Sequence, residues 1–311
     1  MHQVSKLGRA LVLFLWAAAA VLPVAPAAAA AAGVPGEETL EDTDPYWAPG
    51  GQLSFQAHVL ALGRANAGTV GGLPAVTTNP AGLAGMRRGE WQVGRLNPAS
   101  EMVLESVAVG IPGPHLSWAF ALQQLTSPGI IRRDEEGRPT GFFTYSEGSL
   151  SLAAAKRQAQ LDLGVTAATI WQRAGAEAKR GMKLIAGAQW PVSPYCRLGL
   201  AMKWVRHDGA IFSKAMATGG LVWHKEPFSW YFGITDGESS LGVEWRLLPH
   251  IALRFGALEV GGQVVPAGGL AVSGMCVTIE YAYSGHSIGQ GSDEHPQQLA
   301  LGHVLNVRFK Y

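Results

Sequence analysis

Few residues in this chain are spaced for catalysis. His286, Asp293, Glu294 and His295 share one stretch near the C-terminus, and imidazole with carboxylate is a donor set that suits zinc. Their separations match no fixed ligand spacing, so they read as a solvated loop with no metal assigned. No Gly-x-Ser-x-Gly elbow, phosphate loop or dinucleotide glycine fingerprint occurs. Cys196 keeps step with Leu198, Leu200 and Met202, whereas Cys276 opposes Val277 and Ile279. On opposite faces the two cannot approach closely enough to bridge, and both read as free and structural. No catalytic residue and no cofactor is assigned, and the chain reads as a non-enzyme.

The residues with more to say are Lys203, Glu244, Arg246, Arg254, Glu280 and Arg308. Each stands between large apolar neighbours in a run that alternates with a period of two, the pattern of a strand with one apolar and one polar face. The clearest runs place Leu161, Leu163 and Val165 on one face, then Leu198, Leu200 and Met202, then Leu241, Val243 and Trp245. The opposite faces are small or charged. Apolar-out, polar-in alternation over many strands is the pattern of a transmembrane β-barrel, so the six charged residues should face a lumen. There they would either bias what passes or pair with one another and with material inside the bore; pairing is the favoured reading.

Connections fit the same architecture. Tight turns at 112–114, 157–159, 191–194, 225–227, 248–250 and 273–275 alternate with longer polar stretches at 126–146, 172–180, 207–215, 235–239, 258–267 and 285–297. Counting this way gives an all-β, antiparallel transmembrane β-barrel of about 14 strands. The last strand, 299–311, alternates to the final residue, and in lipid such an edge must close on the first strand. With the short turns periplasmic, Trp190, Trp223, Trp245 and Tyr311 fall at one membrane interface and Trp171, Trp204 and Tyr283 at the other, as aromatic belts. Between 89 and 111 the period is broken by Arg95, Glu101 and Glu105, and the faces of the first two strands cannot be assigned.

The 311 residues carry a net charge of +1, with 48% hydrophobic and 15% charged side chains. That charged fraction is below the roughly 25% of ordinary soluble domains. A near-neutral chain has no field for nucleic acid. Forty glycines suit strands that bend or take close backbone contacts. Residues 1–32 have the form of a cleavable secretory signal, with Lys6 and Arg9 ahead of an apolar run and a small-residue site near Ala32. Residues 33–45 read as a flexible lead. Residues 46–88 are rich in glycine and alanine, and 89–311 form the barrel. Asn79 and Pro80 are an N-cap and first helical position, predicting a short helix that ends at Gly85.

At this point the sequence resembles the PorV/PorQ family of outer-membrane barrels, within the broader group similar to the fatty acid transporter FadL. The resemblance rests on residues 62–68 leading to Asn79-Pro80-Ala81-Gly82-Leu83, on residues 134–143, and on residues 280–284 followed by the last strand. It implies a 14-stranded barrel with an N-terminal hatch in the lumen, in the bacterial outer membrane. It implies two roles: a plugged channel for small hydrophobic solutes, or a non-transporting scaffold that partners secretion-system proteins. Modest loops weigh against a large external groove. The resemblance also implies that a terminal strand ending in Phe309 and Tyr311 is read by the barrel-assembly machinery. The expected partners are then outer-membrane lipid, that machinery, and a hydrophobic solute or secretion proteins.

Overall fold

The computed structural model describes residues 56–99, 102–207, 214–288 and 298–311. Fourteen antiparallel strands, β1 (Glu90–Ala99) to β14 (Gln298–Lys310), pair each with the next in sequence, and β14 returns to β1 to close the barrel. Closure runs from Glu90 opposite Lys310 to Asn97 opposite His303. Trp91 stacks on Phe309 with ring centroids 4.1 Å apart, and the Tyr311 N–H donates to the Gly89 carbonyl at 2.9 Å. The final strand is therefore no open edge, as its unbroken alternation requires.

Alternation sorts the two faces. Leu200, Phe255 and Leu305 point outward and are exposed, whereas Thr166, Gln189 and Asn306 point inward and are fully buried. The connections differ from the loops expected. Most of 126–146 is strand: β3 (Ser117–Arg133) and β4 (Pro139–Gln158) continue to a tight turn in which the Asp134 N–H donates to the Arg138 carbonyl. Likewise β5 (Leu161–Ala174) and β6 (Glu177–Ser193) extend through 172–180. Polar residues in those stretches look loop-like, but above the apolar band a strand meets water on both faces and no longer alternates. One rim thus carries short turns and the other extended hairpins.

The faces of β1 and β2 (Met102–Ile111), open in the sequence, are settled by register. Gln92 and Leu96 on β1, and Leu104 and Ser106 on β2, point inward and are buried, so Arg95 and Glu105 point outward. Glu101 lies outside the described residues. The stagger of the ladder shows in one row of outward register partners that begins at Trp171, near the hairpin rim of β5. It passes Gly148, Gln124, Glu105, Arg95, Leu305, Tyr281, Leu270 and Leu253, and ends at Trp245 near the short-turn rim of β10 (Glu238–Leu248). A row perpendicular to the strands climbs the wall because closing a sheet tilts the strands.

Residues 56–88 lie inside. A helical turn, α1 (Ala57–Ala61), is ended by Gly63 and Arg64 with φ of 60° and 65°, and the Arg64 N–H caps the Val59 carbonyl at 2.9 Å. Two 3-10 turns follow, η1 (Leu73–Thr77) and η2 (Pro80–Gly85). The turn begun by Asn79 is a 3-10 turn rather than an α-helix. Val59, Val70, Leu73, Val76, Leu83 and Met86 form a core with the inward alanines of β2, β3 and β4.

Candidate functional site: the bore and its inner segment

The inner segment follows the wall in sequence order from β12 (Gln263–Ser273) back to β5, with its backbone against inward-facing glycines. A Cβ on Gly269 of β12 would meet Ala61, and one on Gly256 of β11 (Ile251–Val260) or Gly242 of β10 would meet Leu62. Further round, Gly233 of β9 (Phe228–Thr235) faces Ala65, Gly220 of β8 (Lys214–Lys225) and Gly199 of β7 (Cys196–His207) face Gly68, and Gly187 of β6 and Gly164 of β5 face Asn79 and Pro80. At Gly199 the overlap would be with the Gly68 carbonyl itself, which no rotamer change relieves. Strand after strand, the wall gives up a side chain where the segment's backbone passes.

Asn79 fixes the end of this path. Its Oδ1 accepts the Ala81 N–H at 3.2 Å, the N-cap bond of η2. Its Nδ2 is shared among the carbonyls of Gly68 (2.6 Å), Ala188 (3.2 Å) and Leu200 (3.2 Å), tying the segment to itself, to β6 and to β7 (Cys196–His207). Gln189 donates to Gly68 and Val70 carbonyls at 3.2 and 3.0 Å, and Thr166 to the Val76 carbonyl at 2.8 Å. These bonds supply partners for backbone groups that a turn inside a barrel would otherwise leave unmet. Pro80, Ala81, Gly82 and Leu83 are buried behind them.

The opposite end of the segment meets charge. Arg254 donates to Glu244 at 2.8 Å and to Glu280 at 2.9 Å; Arg308 donates to Glu280 at 3.2 Å. The chain of charges continues through Glu90, 4.0 Å from Arg308 and 3.6 Å from Lys310, and through Arg246, 3.7 Å from Glu244. From α1, His58 places Nε2 3.9 Å from Glu244 and Nδ1 4.0 Å from Glu280. Burial holds His58 down at about 4 despite the two carboxylates, with Arg254 acting the same way, so it is neutral at neutral pH. The Ala57 N–H donates to Asn306 Oδ1, and Gln92 to Gln56, completing the contact.

Five of the six charged residues read from the sequence therefore share one network; the sixth, Lys203, lies on the inward face with Ile185 and Met216 as its register partners. Sequence reasoning missed Glu90, His58, Gln189 and most of the glycines. A readable signal existed: once a strand's apolar parity is assigned, a glycine recurs at the opposite parity on each strand from β5 to β12. On the outside, Trp190, Trp223 and Trp245 stand near the short-turn rim, and Trp171 and Trp204 near the hairpin rim. Tyr283 packs against His303 with ring centroids 5.2 Å apart. Cys196 and Cys276 are free, the second in an exposed turn. Asp293, Glu294 and His295 lie outside the described residues, and His286 is placed in β13 (Val277–Ile288) by its backbone alone.

The closed 14-stranded barrel is a fold shared with solved transport proteins. Over 81% of this chain and 96% of that one, it superimposes on the toluene transporter TodX of Pseudomonas putida with a TM-score of 0.60 and 11% identity. The toluene transporter TbuX of Ralstonia pickettii gives 0.60 at 14% identity over 81% and 98% of the two chains. A FadL homologue of Pseudomonas aeruginosa gives 0.56 at 11% identity over 82% and 98%. At such identities the likeness defines the fold. No family model and no curated protein matches the sequence.

Proposed function

We propose that this protein is a bacterial outer-membrane channel for small hydrophobic solutes, delivered by the signal read in residues 1–32 and plugged by the inner segment. The observation that carries this reading is the glycine-lined path that seats residues 61–81 against eight successive strands of a barrel whose outer face is apolar. A bore so fitted is closed at rest and opens only when the segment moves. Of the bore carboxylates, Glu90, Glu244 and Glu280 each have basic partners, which favours solute passage over acid–base chemistry at that end. The named activities of the toluene transporters support an uncharged, hydrophobic cargo.

Deleting residues 56–86 should raise single-channel conductance in planar bilayers; unchanged conductance in a correctly assembled barrel overturns the plugged channel. The PorV/PorQ resemblance favours a second reading, a scaffold for secretion proteins with Phe309 and Tyr311 as the assembly signal. Recovery of a stoichiometric protein partner from solubilised outer membrane, with no conductance change on deletion, would establish that reading instead.

A further inference from the structure

We propose that two copies of this chain pair side by side through the outer face of β1 and β2, Arg95 of each copy against Glu105 of the other. The inference rests on the outer-membrane reading above. Arg95 and Glu105 put charge on a mainly apolar outer wall: their Nη1–Oε1 distance is 3.3 Å, and the side chains are 58% and 41% exposed. Other outward charges stand at the water. Arg173, Arg206 and Glu259 are each one residue from a strand end.

Height decides the matter. The register row from Trp171 to Trp245 crosses the wall from one rim to the other, and Glu105 and Arg95 fall in its middle. With strands about 4.8 Å apart and tilted by about 36°, four steps along that row place Arg95 about 11 Å below Trp171. An outward basic side chain is most costly in lipid near the midplane. Gln124, next in the row on β3, continues the polar strip.

A second copy removes that exposure. Two barrels inserted with the same orientation are related by a twofold axis along the membrane normal, and such an interface sets residue i against j and j against i. An axis passing between β1 and β2 puts Arg95 opposite Glu105 of the second copy, the two offset in height by one register step of about 3 Å. Two lipid-exposed ion pairs then become one alternating cluster of four charges, shielded by both walls.

The test uses the full-length protein in mild detergent and in lipid vesicles, with association read by native mass spectrometry and energy transfer between labelled copies. Wild type should be dimeric. Arg95→Glu leaves only acids at the contact and Glu105→Arg only bases, and each should raise the dimer dissociation constant at least about tenfold. Mixing the two variants should restore pairing as mixed dimers. Both variants lose the intrachain ion pair equally, so a role confined to one copy gives no rescue on mixing. A membrane-embedded wild type that stays monomeric at every protein-to-lipid ratio overturns the proposal whatever the variants do. Single variants that remain dimeric, or a mixture that remains monomeric, overturn it as well. Partition of the protein into the aqueous phase without detergent would instead remove the outer-membrane reading beneath it.

Discussion

The two ends of the inner segment are held by opposite means. At the Asn79 end the wall offers glycines, and attachment consists of close backbone packing with amide and hydroxyl bonds to main-chain carbonyls. At the His58 end the wall offers charges, but most of those charges bind one another across β10, β11, β13, β14 and β1. The first arrangement fastens segment to wall. The second fastens wall to wall, and the segment is tied to it there by the Ala57–Asn306 and Gln56–Gln92 hydrogen bonds. Loss of the one should free the plug from an intact barrel, whereas loss of the other should weaken the barrel itself.

The largest expected effect breaks the charged side. Glu280→Ala leaves Arg254 and Arg308 without their shared buried carboxylate, a loss of about 3–5 kcal/mol for a buried pair. The heat-modifiable transition of the folded barrel on gels should move to clearly lower temperature. Asn79→Ala should do the reverse: the barrel transition stays close to wild type, while the carbonyls of Gly68, Ala188 and Leu200 lose the Asn79 amide, Gly68 keeping only Gln189, at a cost of about 1–3 kcal/mol. A reporter cysteine at Thr77 should then be labelled faster by a hydrophilic maleimide, and equal rates would mean that Asn79 does not hold the plug.

Gly199→Ala probes fit without touching a hydrogen-bonding side chain. Its Cβ overlaps the Gly68 carbonyl, and relief by displacing the segment should cost about 1–3 kcal/mol. Labelling at Thr77 should rise, and the equivalent change at Gly262, where an added Cβ meets nothing within 4 Å but φ is 79°, should leave it unchanged. The smallest effect is with pH. His58 has its pKa lowered from 6.5 to about 4 by burial, so the folded state binds fewer protons than the unfolded one. Stability contributed by neutral His58 is intact above 6.5 and is lost as pH falls from 6.5 to about 4, with no further loss below. His58→Gln should flatten that part of the pH–stability curve, and an unaltered curve would place the titration elsewhere.

Much of the fold is legible residue by residue. A period of two in β5, β7 and β10 is a local property: each large residue reports its own face, and Leu299 to Tyr311 reports that no edge is left open. The charged bore residues were legible for the same reason, since Glu244, Arg254 and Glu280 occupy the parity opposite Val243, Phe255 and Tyr281. The hairpins of β3–β4 and β5–β6 were not, because strands beyond the apolar band lose the contrast that marks them. Arg95 and Glu105 were illegible in another way. Their parity is dictated by neighbouring strands, and no count within β1 or β2 could supply it.

The sequence by itself determined a barrel, its strand number and the sidedness of most strands, because the contrast between an apolar outer face and a small or polar inner one acts on each residue separately. Only the tertiary structure decided which strand positions meet the inner segment, which charges share a partner, and how high each residue stands in the wall. Those depend on stagger, and stagger is a property of the closed ring. A tilt that carries one row from Trp171 to Trp245 brings His58 to Glu280, Gly68 to Gly199, and Arg95 to the middle of the outer wall.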